Sequence, residues 1–131
     1  MIEAQSWTMK FLTALPRILL GLLFTVFGLN GFFHFLPMPM PDGDAGDFMG
    51  VIFKTGYFAV IFASQVIGGV LLLSGFLVPL GLVFLGPVLV NILTFHATMA
   101  PSGFPPAIVA TLLWLIIFWQ RRAAFAPLFA R

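Results

Sequence analysis

The chain has 131 residues, 61% of them hydrophobic and only 8% charged, with 17 Phe, no Cys and a formal charge of +2; soluble domains carry about a quarter charged residues. One small domain has no way to hide that much apolar surface from water, so a mean hydropathy of +1.13 excludes a secreted domain, a nucleic-acid module and most small cytosolic enzymes. The missing cysteines exclude disulfides, thiolate nucleophiles, iron–sulfur clusters and passage of electrons from thiols by the chain itself.

The first apolar stretch, about 12–36, is long enough to cross a bilayer at about 20 residues per crossing. It continues past Phe35 without a small-residue cleavage site, so it reads as a span rather than a removable leader. Arg17, near its start, is expected to snorkel to the headgroups. Gly21, Thr25 and Gly28 form a stripe suited to close helix packing. Asn30 and His34, four residues apart, share one face. Pro37, Pro39 and Pro41 then end the helix.

A loop over about 37–56 follows. Its DGDAGD run echoes the start of a calcium loop, but Phe53 stands where the bidentate Glu is required, so a solvated turn is expected. The apolar FMGVIFKTG that follows predicts a short helix in the membrane interface, with Asp47 as N-cap and Gly56 as stop.

The second span is expected over about 57–76, with Gln65 some eight residues inside and Gly69 one turn further. Gly75 and Pro79 bracket a tight turn into the third span, about 78–99. Pro87 should kink that helix and free the carbonyl of Val83. Asn91 lies one turn beyond, with Thr94 and Thr98 near its stripe and His96 closer to the end. Pro101 and Gly103 separate a fourth span, about 105–120, which Pro105-Pro106 suits as a start.

Isolated spanning segments must satisfy their own backbone, and period-2 alternation is missing, so the spans are helices rather than barrel strands. The fold expected is all-α: residues 1–131 as a single integral membrane domain, a four-helix bundle. Lys10, Arg17, Arg121, Arg122 and Arg131 flank the side shared by both termini, while the long loop carries Asp42, Asp44 and Asp47 against Lys54. The positive-inside rule then makes both termini cytoplasmic, with one outer loop, in what is expected to be a bacterial inner membrane.

That topology puts Asn30, His34, Gln65, Asn91 and His96 in the outer half of the bundle, with the first and third spans touching through the Asn30–His34 face. Such a cluster reads either as a ligand pocket or as hydrogen-bonding glue worth about 1 kcal/mol per contact. His96 is five residues past Asn91, about 140° round the helix, so the two do not point squarely into one hole. Phe48 and Phe53 on the loop helix are expected as a lid over the cluster, or as anchors in the headgroups. Two His on different helices suit haem, but nothing else in the chain does. No acid lies within the spans to complete a metal site. No complete catalytic constellation is present.

The runs RILLGLLFTVFGLNGFFHF, TGYFAVIFASQVIGGVLLLSGFLVPLGL and PVLVNILTFH resemble the DoxX family of small four-helix membrane proteins. The resemblance runs from about Arg17 to the C-terminus and rests on the spaced Gly, Asn and His. It implies a membrane subunit near quinone or thiol redox chemistry, with quinone or a similar amphiphile as ligand and a redox enzyme as partner. Broader relatives of this topology imply an alternative, a non-enzymatic assembly or structural partner of other membrane proteins. Many members look to have Glu where this chain has Gln65, so a proton-carrying acid is absent there.

Overall fold

A computed structural model describes residues 2–131, and every regular element among them is helical. The helices are α1 (Ile2–Phe33), α2 (Gly43–Thr55), α3 (Phe58–Ser74), α4 (Val78–Thr98) and α5 (Phe104–Gln120); a short 3-10 turn, Pro101–Gly103, precedes α5 and a longer one, Arg122–Phe129, follows it. Three stretches, Glu3–Phe33, Val78–Thr98 and Pro101–Gln120, are long and apolar enough to cross a membrane, and α2 with α3 makes a fourth when taken as one span bent by 89°. This is the build of an integral membrane protein.

α1 starts about ten residues earlier than the apolar stretch, because Glu3, Ala4, Gln5, Met9 and Lys10 are sound helix formers and Pro16 is accommodated inside it. At about 1.5 Å per residue it is about 48 Å long, well beyond a bilayer core of about 30 Å. It ends at Phe33 rather than Leu36. His34 turns left-handed (φ 51°), and the proline after Leu36 disfavours a helical conformation there. The side chain of Asn30 takes over the freed amide, its Oδ1 accepting the N–H of Leu36 at 2.7 Å.

α2 begins at Gly43 with Asp42, not Asp47, at the N-cap position, and Asp42 makes no side-chain cap bond. DGDAGD is therefore the entry and first turn of the helix rather than a loop before it. Gly56, left-handed at φ 81°, closes the helix where expected. The α3–α4 link is only Gly75-Phe76-Leu77, with Gly75 (φ 73°) and Leu77 (φ 53°) both left-handed.

The bundle is a ring in which α1 packs against α3 and α5, and α4 against the same two. α1 and α4 thus stand on the diagonal, so the first and third spans are not the packed pair expected. Adjacent glycines of α3 serve the two neighbours. A Cβ on Gly69 would stand 2.6 Å from the backbone N of Thr25 on α1; one on Gly68 would stand 3.2 Å from the carbonyl of Gly81 on α4. Helix packing in lipid relies on such close van der Waals contact, since lipid tails are as apolar as the core.

Leu20, Phe24, Leu72, Leu82, Leu85 and Ile117 fill the centre, with Phe125 folded back beneath them by the C-terminal turn. Trp114 ties α5 to α4, its indole N–H donating to the carbonyl of Leu82 at 3.0 Å, close to the Pro87 break in the ladder. Outside, Leu22, Val70, Val83, Val90, Leu112 and Leu115 are exposed, an apolar surface suited to lipid.

Candidate functional site

At the end of the bundle opposite the termini, α2 crosses the mouths of the other helices. Phe53 packs on Phe58 (5.2 Å between ring centroids), Phe62 (6.0 Å) and His34 (5.6 Å). Phe32 of α1 joins the same cluster against Phe58 at 5.8 Å and Phe62 at 6.5 Å. The Phe62 ring lies against the Cα of Gly31, a position that only a glycine leaves free. Phe48, a turn and a half earlier on α2, leans instead on Phe95 of α4 at 5.7 Å. The two candidate lid residues thus brace α2 at separate points, Phe53 over the α1–α3 seam and Phe48 over the end of α4.

Beneath the aromatic cluster, one turn below Phe62, lies Gln65. Its Cβ faces α1, 3.1 Å from where a Cβ of Gly28 would be. Gln65 is only 6% exposed, yet its side-chain amide forms no hydrogen bond among the described residues. Among the described residues no buried side-chain polar atom is both sealed and unpartnered, so the amide tip must hold the little exposure that remains. An unpaired carboxamide in an apolar bundle costs free energy of about 1–3 kcal/mol, and it offers both a donor and an acceptor.

The other polar residues divide differently. Asn30 is buried at 7% but occupied: Oδ1 takes the Leu36 amide and Nδ2 approaches the Met38 sulfur at 3.5 Å. His34 is exposed and serves as the left-handed residue after α1, its N–H returning to the carbonyl of Asn30 at 2.8 Å. His96 leaves the cluster altogether. Its Nδ1 pairs with the carbonyl of Ala100 at 3.0 Å and its ring lies over Gly103, so it holds the α4–α5 turn. Asn91 faces outward, exposed, with Nδ2 on the carbonyl of Pro87 in its own helix at 2.8 Å. It lines an open groove of about 470 Å³ on the α3–α4 face with Tyr57, Ser64 and Pro87.

The structure therefore brings His34 and Phe53 together over the α1–α3 seam with Gln65 beneath them, leaves Asn30 engaged with the exit from α1, and keeps Asn91 and His96 away. The sequence reading missed Phe58 and Phe62, although their spacing to Gln65, seven and three residues, is helical and marks one face. The Arg17 guanidinium reaches across to α3, where its Nη1 donates to the carbonyls of Leu72 and Leu73 at 2.6 and 3.0 Å. It caps the end of α3, where unpaired carbonyls and the negative end of the helix dipole favour a cation.

Among known proteins, no family model, curated protein or solved structure matches the chain.

Proposed function

We propose that the chain is a DoxX-like integral membrane protein, a redox-associated subunit that binds quinone or a similar amphiphile beneath α2. The supporting observation is Gln65, nine-tenths buried with an unspent amide under a cluster of flat rings. A quinone carbonyl accepts from the amide N–H and a quinol hydroxyl donates to the amide oxygen, so one carboxamide suits both redox forms. Phe53, Phe58 and Phe62 offer aromatic faces to a ring, and an isoprenoid tail would leave sideways into lipid. Both termini are cytoplasmic on this reading, and α2, at 89° to α3, lies along the outer interface. Electrons would pass to a partner enzyme, because this chain has no redox-active side chain of the thiol kind.

Mass spectrometry of molecules retained in mild detergent tests the proposal. The wild-type chain should carry an isoprenoid quinone or close analogue, and Gln65→Leu and Phe53→Ser should lose it while melting as a folded bundle. Retention unchanged in both variants, or an absence of any such molecule from the wild type, would remove the basis for the proposal.

A second reading, an assembly or structural partner of other membrane proteins, draws on the exposed stripe of Asn91, Thr94 and Thr98. Polar groups facing lipid are costly and find partners across helix interfaces. Photocrosslinking from position 91 in the native membrane tests it: a specific protein adduct supports this role, and adducts with lipid alone count against it.

A further inference from the structure

At the end of the bundle shared by the termini, a groove of about 440 Å³ runs between the first half of α1 and the end of α5. Ser6, Lys10, Thr13 and Arg17 line it from α1, at spacings of three to four residues that keep them on one face. Gln120 and Arg121 line it from the other side, and the Gln120 amide donates to the carbonyl of Thr13 at 3.2 Å, joining the two walls. Among the described residues no carboxylate belongs to the wall, and Glu3, the one acid on α1, stands outside it.

Three cations therefore converge on one groove with no counter-charge in its wall among the described residues. Arg17 is held in place, since Nη1 is spent on the carbonyls of Leu72 and Leu73; Nε and Nη2 have no partner among the described residues. Lys10 lies over the Trp7 ring, 5.6 Å from its centroid, and neither Lys10 nor Arg121 makes a side-chain hydrogen bond among the described residues. The depth also fits a headgroup. Arg17 lies about 24 Å along α1 from Phe33 and Lys10 about 35 Å, so the groove straddles the edge of a hydrocarbon core of about 30 Å.

We infer that this groove binds a phosphate anion, carried by a lipid headgroup or free in solution, with Arg17 as the fixed anchor and Lys10 and Arg121 closing on it. Guanidinium groups pair with phosphate through parallel N–H bonds, and an ammonium adds a mobile point charge. Diffuse attraction of the basic end to anionic lipid is the competing explanation, and the control variants separate the two.

The test is native mass spectrometry of the full chain in neutral detergent, with dioleoyl phosphatidic acid, dioleoyl phosphatidylcholine and inorganic phosphate as probes. Phosphatidic acid should bind at least about tenfold more tightly than phosphatidylcholine. Lys10→Gln and Arg121→Gln should each lower that affinity about tenfold, the loss of one charge-assisted contact. Arg122→Gln and Arg131→Gln, which remove the same charge from the same end but outside the groove, should leave it unchanged. Displacement by millimolar inorganic phosphate assigns the site to free phosphate, and indifference to it assigns the site to the headgroup; both support a phosphate site. Equal losses in all four variants, or no preference for phosphatidic acid, overturn it. Arg17→Gln is kept out of the set because it also uncaps α3.

Discussion

Gly21 and Gly69 bring α1 and α3 together backbone to backbone: a Cβ on either would stand 2.9 Å from the carbonyl oxygen of the other. Real Cβ atoms do not sit that close to a carbonyl, so the seam under Gln65 exists only while both positions lack a side chain. Gly69→Val should therefore push the helices apart and destabilise the bundle by about 1–3 kcal/mol, the usual cost of overpacking. Gly50→Ala is the matched control, since nothing lies within 4 Å of its Cβ position; there a gain of about 0.5–1 kcal/mol is expected from helix propensity. Unfolding in a mixed-detergent titration measures both, and equal stability of the two variants would show that the close approach contributes nothing.

Asn30 is expected to matter for the end of α1 rather than for a ligand. Asn30→Ala leaves the Leu36 amide without its acceptor and should cost about 1 kcal/mol. Hydrogen exchange at Leu36 should quicken while the amides of α4 keep their protection. An unchanged rate at Leu36 would mean that the 2.7 Å bond does not hold the exit from the helix.

Leu77 holds a left-handed conformation in a link of three residues. For an L side chain that costs about 1–2 kcal/mol, against about 0.5–1 kcal/mol of extra chain entropy when glycine replaces it. Leu77→Gly should thus raise the melting temperature slightly and Leu77→Val should lower it, because branching at Cβ worsens the clash. The ranking of the two melting temperatures is the measurement, and the reverse order would refute the strained turn.

Asn91→Leu should be nearly neutral for folding, within about 0.5 kcal/mol, as exposed substitutions generally are. Its side chain donates to the carbonyl of Pro87 in its own helix, a group that backbone pairing also reaches. A bound quinone should survive this change, in contrast to Gln65→Leu. Loss of the ligand from Asn91→Leu would move the site from the α1–α3 seam to the α3–α4 groove.

The apolar stretches, their punctuation by Pro and Gly, and the glycine stripe of α1 were all legible in the sequence. The reason is the solvent. In lipid a chain must bond its own backbone, so a long apolar run is a helix, and a break in the run is a turn. His34 and Gly56 end their helices within a few residues of the expected limits, because a following proline and a left-handed glycine act locally. Tertiary structure decided what each helix turns toward. These helices are apolar all round, so little in the local sequence says which side faces a neighbour and which faces lipid. Asn91 and Gln65 have similar neighbours in sequence, yet one is exposed and the other is 6% exposed. The rotation was set by contacts far away in the chain: Gly69 against Gly21, Gly68 against Gly81, and Arg17 on a carbonyl 55 residues away. Backbones must touch before such pairs can be known, and no window of sequence contains both partners.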